Sequence, residues 1–261
     1  MRLLFFGDIV GKPGRRGVAE LLPVWRQRYA PDAIIANGEN AAHGLGITPK
    51  IADELFELGV EALTLGNHTW HHKEIIPYID QEPRLVRPAN YAPGCPGAGY
   101  RILSVLDKKL AVVSLIGRVF MDSADCPFRA FDRLENEIEA NVLFVDFHGE
   151  ATSEKMAFAL YADGRASAVI GTHTHVQTAD EQILPGGTAF LTDVGMCGPW
   201  RSVIGMEGAV IVNRFLTGMP AKFEVPDSNP VVSAVLIDFD RTNGKALAIQ
   251  RLQHRPDPAV P

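Results

Sequence analysis

The sequence has little cysteine, with only Cys95, Cys126 and Cys197 among 261 residues. Three is odd and no two share CxxC spacing, which excludes a disulfide framework and a thiolate-held metal and points to a reducing cytoplasm. Long apolar runs are absent too. Residues 111–116 fall far short of the roughly 20 needed to span a membrane, and the apolar start at residues 3–6 stops at Gly7-Asp8, so neither a membrane helix nor a signal peptide is expected. Positive charge is not in excess: 25 Lys plus Arg against 31 Asp plus Glu leave a formal −6 with the eight histidines neutral, which excludes a broad basic nucleic-acid surface. Two nucleotide motifs also fail. The segment from Gly7 to Gly14 superficially suggests a phosphate loop, but it lacks the GK[ST] ending and Pro13 follows Lys12, while the GxGxxG of a dinucleotide fold is missing after the first strand.

What is present is an ordinary globular balance, 46% hydrophobic and 21% charged residues, enough for a sizeable core. Strand-like runs at 3–6, 33–36 and 62–65 alternate with helical spacing at 15–29 and with a helix begun by Thr48-Pro49 and ended by Gly59. Residues 100–106 and 110–116 flank a turn as a hairpin, 142–147 and 168–170 are further strands around a helix at 153–161, and the final third is β-rich. This order predicts an α/β sandwich with mixed strand directions, and the β-rich end disfavours a barrel of eight strand-helix units. Residues 1–253 are expected to form a single domain, with irregular excursions at 77–99 and 195–220 as potential lids and a frayed tail at 254–261.

The residues able to hold a metal are not scattered. Asp8, Glu39 with Asn40, Asn67 with His68, His148, and His173 with His175 each fall at or just after the carboxyl end of an expected strand. In an open α/β sheet those ends form the ligand crevice, so the five segments would converge. Imidazole, carboxylate and amide oxygen together suit Mn, Fe or Zn. Seven or eight candidates exceed the positions around one ion, so two metals sharing Glu39 as a bridge is the economical arrangement. Alternation along an extended His173-Thr174-His175 would turn both imidazoles to one side. Gly11 and Gly14 would let the chain turn beneath Asp8, with Arg15 or Arg16 near the entrance. His43, beside the flexible Gly44-Leu45-Gly46, is a candidate for touching substrate, whereas His71, His72 and His254 lie outside the pattern, the first two on a solvated helix terminus.

Together, Asp8, Asn37-Gly38-Glu39-Asn40, Gly66-Asn67-His68, His148 and Gly171-Thr172-His173-Thr174-His175 resemble the calcineurin-like metallophosphoesterases, and most closely their YmdB-like bacterial branch, over almost the whole chain. Val10 in place of the usual early histidine, Glu39 in place of the bridging aspartate and Thr69 after His68 match that branch. The resemblance implies a four-layer α/β/β/α sandwich with mixed sheets. It also implies a phosphodiesterase for 2′,3′-cyclic and 3′,5′-cyclic nucleotides that uses two transition-metal ions, Fe or Mn ahead of Zn or Mg. Asp8, Glu39 and His175 would hold the first ion, and Glu39, Asn40, Asn67, His148 and His173 the second. His68 would protonate the leaving group. Similar proteins are often homo-oligomers. The alternatives are a monoesterase or nucleotidase on the same scaffold, to which Arg15, Arg118, Arg129 and Arg201 could contribute, and a nucleotide-binding regulatory protein with little turnover.

Overall fold

The structure, a computed structural model, describes residues 1–256. The elements run β1 (Arg2–Phe6), β2 (Asp8–Ile9), α1 (Gly11–Tyr29), β3 (Ala33–Asn37), α2 (Pro49–Glu57), β4 (Ala62–Thr64), α3 (Ile75–Ile79) and β5 (Leu85–Val86). Next come β6 (Tyr100–Val105), β7 (Lys108–Ile116), α4 (Pro127–Glu137), β8 (Val142–His148), α5 (Thr152–Ala162), β9 (Ala168–Thr172), β10 (Gln182–Ile183) and β11 (Ala189–Leu191). The chain then returns through β12 (Met196–Pro199), α6 (Gly208–Thr217), β13 (Pro230–Phe239) and β14 (Ala246–His254).

Two mixed sheets result. One has the order β2-β12-β13-β1-β3-β4-β5 with β14 also paired to β13, and the other is β10-β11-β9-β8-β7-β6. β1, β3, β4 and β5 are parallel in the first, and β7, β8, β9 and β11 in the second, so within each sheet these carboxyl ends share one edge. Period-two alternation sorts the side chains into layers. Leu3 and Phe5 of β1, Ala33 and Ile35 of β3, Phe144 of β8 and Ile170 of β9 fill the space between the sheets. Phe5 and Phe144 meet edge to face across it, with centroids 4.9 Å apart. Leu4, Phe6, Ile34 and Ala36 instead pack outward against Val18, Leu22 and Trp25 of α1 and Leu55 and Phe56 of α2. Val145 and Phe147 pack against Phe131 of α4 and Phe158 of α5. The four layers are therefore α/β/β/α, as the resemblance implied.

Several sequence expectations need revision. Helix α1 begins at Gly11, and Gly14 lies within it, where a Cβ would sit 2.1 Å from the Cys197 carbonyl oxygen: this glycine allows helix and strand to touch, not the chain to turn. The 195–220 stretch is not irregular, since it opens with the buried β12 and contains α6, and the 77–99 stretch holds the end of α3 and β5. His71 and His72 occupy turns ahead of α3. His254 is no frayed residue, because it pairs with Val232 at the end of β14. Residues 257–261 of the expected tail lie outside the described residues.

Candidate metal centre

Alternation within the strands decides which polar groups face the seam between the sheets. In β8, Val142 and Phe144 point into it, so Asp146 and His148 do as well, and in β9 Thr172 follows Ala168 and Ile170 on the same face. From the other sheet come Asn37 at the end of β3 and Thr64 at the end of β4. Asp146 is fully buried there and accepts hydrogen bonds from Asn37 Nδ2 at 2.9 Å, Thr64 Oγ1 at 2.5 Å and Thr172 Oγ1 at 2.6 Å. It ties the two sheets together directly beneath the histidines.

Asp8 at the start of β2, His148 at the end of β8, and Glu39, Asn67, His173 and His175 in the loops after β3, β4 and β9 come to one place. Around His148 Nε2 lie Asn67 Oδ1 at 3.0 Å, Glu39 Oε1 at 3.1 Å and His173 Nδ1 at 3.1 Å. Ligands about 2.1 Å from a shared ion lie about 3 Å from one another at right angles, so these spacings suit the edges of a coordination shell. Gly66 makes room for it, since a Cβ here would fall 2.3 Å from Glu39 Oε2 and 2.5 Å from His148 Nε2. On the other side, buried Asp8 holds Oδ1 without a hydrogen-bond partner, 3.7 Å from His175 Nε2, while its Oδ2 accepts the His173 backbone N–H at 3.2 Å.

Whether these residues fit a metal is decided by where their lone pairs point. His148 Nδ1 faces Thr172 Oγ1 at 2.8 Å, and because that hydroxyl donates to Asp146 it accepts from His148. His175 Nδ1 donates to the Ile204 carbonyl at 2.8 Å, and His173 Nε2 lies 3.2 Å from Glu150 Oε2. Each imidazole thus spends its outward nitrogen on a protein acceptor and turns the lone pair of the other inward, the outer arrangement that metal-binding histidines use to fix tautomer and orientation. Three inward nitrogens and two buried carboxylates, one of them with an orphaned oxygen, fit a transition metal.

Charge is confined with them. Burial raises Asp8 to about 6 against the pull of His175 and His148. Burial would also raise Glu39, but the charges and hydrogen bonds of His148 and His68 outweigh it and hold this carboxyl well below the usual range. Burial opposes charge on His148, yet Glu39 and Asp8 lift it to about 9, while burial and the neighbouring His148 push His173 down to about 3. A cation entering the cluster displaces the proton that otherwise compensates Glu39.

Not every expected residue is placed as anticipated. Asn40 turns its Oδ1 to His68 Nδ1 at 2.8 Å and its Nδ2 to Glu39 Oε1 at 3.1 Å and His175 Nε2 at 3.2 Å, so in this rotamer it orients His68 and does not join the oxygens around His148. His68 lines the cavity with its side chain 29% exposed and its backbone N–H on Glu39 Oε2. His43 is not in that cavity. Its left-handed backbone (φ 56°) directs it to a neighbouring cleft with Lys12 and Lys222, leaving Gly44 and Leu45 on the site. Arg15 is tied to the Ala41 carbonyl and Glu54, and Arg16 to Asp227 and the Ser228 carbonyl, so neither guards the entrance.

His173-Thr174-His175 is not extended either: β9 ends at Thr172, and both histidines have positive φ, 98° and 65°. A buried pair holds this turn. Lys155 Nζ donates to the Thr172 carbonyl and to Asp193 Oδ2, both at 2.7 Å, and Asp193 also accepts the N–H groups of Thr174 at 3.0 Å and Gly195 at 2.8 Å. Sequence reasoning missed Lys155, Asp193, Asp146, Thr172 and Glu150. Only the break that Asp146 makes in the apolar run of β8 could have signalled one of them.

The cavity above the cluster, about 490 Å³, has a polar floor of Glu39, Asn40, His68, His173 and His175, and walls from α6 and the turn before it. The YmdB-like protein family matches residues 4–252. A Bacillus subtilis (strain 168) protein named 2′,3′-cyclic-nucleotide 2′-phosphodiesterase is 50% identical over 254 residues, 97% of this chain and 96% of that protein. The crystal structure of a hypothetical protein from Thermus thermophilus is similar with a TM-score of 0.93 and 47% identity, covering 97% of this chain and 99% of that one. That of a Mycoplasma pneumoniae protein described as a novel phosphatase gives a TM-score of 0.93 and 34% identity over 97% and 93%. Since the family match runs through every segment that feeds the cluster, the chain belongs to the YmdB-like protein family.

Proposed function

We propose that this protein hydrolyses phosphodiesters, with 2′,3′-cyclic nucleotides as its main substrate class and 3′,5′-cyclic nucleotides as a further one, and that two transition-metal ions serve the reaction. The carrying observation is the set of inward lone pairs on His148, His173 and His175 around Glu39 and Asp8. Asp8, Glu39 and His175 would hold one ion, and Glu39, Asn67, His148 and His173 the other. Bound there, the ions supply Lewis acidity to the phosphoryl oxygens and activate water near neutral pH. The similar Bacillus subtilis protein, by its name, acts on this chemistry.

The chain's own groups do the rest. Water attacks phosphorus, one ester bond to the ribose breaks, and the departing oxygen needs a proton. In this reading His68 gives it as the imidazolium: Asn40 Oδ1 engages the Nδ1–H, which leaves the Nε2–H as the proton available to the leaving oxygen. Preference for a diester over a monoester follows from the lining, where Arg214 is the one Lys or Arg side chain among the described residues of the cavity. A dianionic monoester would call for more positive charge than that.

The test is hydrolysis of 2′,3′-cyclic AMP, 3′,5′-cyclic AMP and p-nitrophenyl phosphate by protein of measured metal content. The cyclic diesters are expected to turn over, and His68→Ala is expected to retain its metal while losing about 10²–10⁴-fold in turnover. Faster hydrolysis of the monoester, or an active metal-loaded His68→Ala, would sink the assignment.

A further inference from the structure

The wall of the cavity has a chemistry the hydrolytic step does not use. Ile211, Arg214 and Phe215 of α6 form it with Val203, Ile204 and Phe223. Phe215 is 84% exposed, an unusual position for a phenyl ring on a helix whose only buried residue is Ile211. Arg214 lies over the ring of Phe223, 4.8 Å from its centroid, and is held there by the ring face. The turn below is built with some strain: Ile204, a β-branched residue, takes a positive φ of 45°, and it is this residue's carbonyl that receives the His175 Nδ1 proton. The apolar wall and the candidate metal centre are therefore joined through one peptide.

We infer that this wall is a nucleobase platform, with Phe215 and Phe223 supplying ring faces for the base of a nucleotide whose phosphate sits on the polar floor. This rests on the phosphodiesterase reading and adds a specificity determinant to it. A cyclic nucleotide is polar at its ribose phosphate and flat and apolar over the faces of its base, and the cavity is divided the same way. Among the described residues, the only strong hydrogen-bonding side chain on the wall is Arg214, stacked over Phe223, so the platform rests on the face that every base presents more than on the pattern at its edge.

The test compares adenosine 2′,3′-cyclic phosphate with its abasic counterpart, methyl ribofuranoside 2′,3′-cyclic phosphate, in the metal-loaded wild type, Phe215→Ala and Phe223→Leu. Stacking of a base on an aromatic side chain predicts a KM for the nucleotide about 5- to 150-fold below that of the abasic diester. That ratio is expected to fall towards one in Phe215→Ala, with guanosine and cytidine diesters behaving like adenosine. Because Phe215 is so exposed, its removal leaves the core untouched, and Phe223→Leu keeps apolar bulk while deleting the ring. Equal KM values for the two wild-type substrates would overturn the platform while leaving the phosphodiesterase reading intact. So would a Phe215→Ala variant that changes only its sedimentation behaviour, which would make α6 a contact between copies of the chain. If neither diester turns over, the functional reading fails, and calorimetric titration of the same two unreacted ligands still decides whether the base is bound.

Discussion

Thr172 stands between a histidine and a buried carboxylate, and its hydroxyl settles which nitrogen of His148 carries the proton. It accepts from Nδ1 and donates to Asp146, so Nε2 is the nitrogen that gives up its proton and turns a lone pair to the cluster when a cation enters. Thr172→Val preserves shape but strands the Nδ1 proton in a fully buried setting, at a cost of about 1–3 kcal/mol in folding. It also frees the ring to adopt the other tautomer, and loss of such an outer partner typically weakens metal binding about 10- to 100-fold. Titration calorimetry with manganese, set beside Thr172→Ser as the variant that keeps the hydroxyl, reads this directly, and equal affinities for Val and Ser would remove the relay from the account. Residue by residue, the inward-facing donors were legible in the sequence because they punctuate apolar runs at strand ends, as His148 does after Phe147. Their supports were not. Thr172 closes a strand and Lys155 lies within a helix, and neither residue type at such a place announces a support for the histidines.

At the scale of elements, the turn after β9 depends on α5. Two non-glycine residues with positive φ in three positions would cost about 1–3 kcal/mol each if nothing else fixed them. Lys155, fully buried on α5, reaches across to the Thr172 carbonyl and Asp193 and so clamps both flanks of that turn. Lys155→Met should therefore destabilise the fold by about 3–5 kcal/mol, because the Asp193 carboxylate is left buried without its cation. Urea unfolding measures the loss, and a drop below about 1 kcal/mol would mean that the Thr174 and Gly195 N–H groups suffice. Helices α1, α2 and α5 could be anticipated from spacing and from the Thr48 cap, whose Oγ1 accepts the Ile51 N–H at 3.3 Å. Helix α4 was missed although its apolar residues face the core: Pro127 opens it, and Phe128, Phe131 and Leu134 recur at helical spacing against the apolar cluster that holds Phe147 and Phe158. Helix α6 hid because its large apolar residues face outward, and β12 before it is too short, and too rich in glycine and proline, to show alternation.

For the molecule as a whole, the cluster lies on the seam between the sheets. Asp8, Glu39 and Asn67 arrive from strands of the first sheet, and His148, His173 and His175 from strands of the second, so an ion held by both groups cross-links the two halves of the fold. The chain's formal charge of −6 belongs in this picture, because two of its carboxylates, Asp8 and Glu39, are fully buried here and are compensated by histidine alone when no cation is bound. A ligand that binds only the folded state at 100 times its dissociation constant adds about 2.7 kcal/mol. For a chain of this size that corresponds to a fall in Tm of roughly 5–10 °C when the metal is stripped. The protein should nevertheless remain folded, because Phe5 and Phe144 and the Asp146 hydrogen bonds join the sheets without any ion. Scanning calorimetry of metal-loaded and chelator-treated protein is expected to show one transition in each case, displaced by that amount. Glu39→Gln should shrink the displacement by weakening both sides of the seam together. Two separate transitions after chelation would show that the sheets depend on the ion for their association, and an unchanged Tm would place the metal somewhere other than this seam.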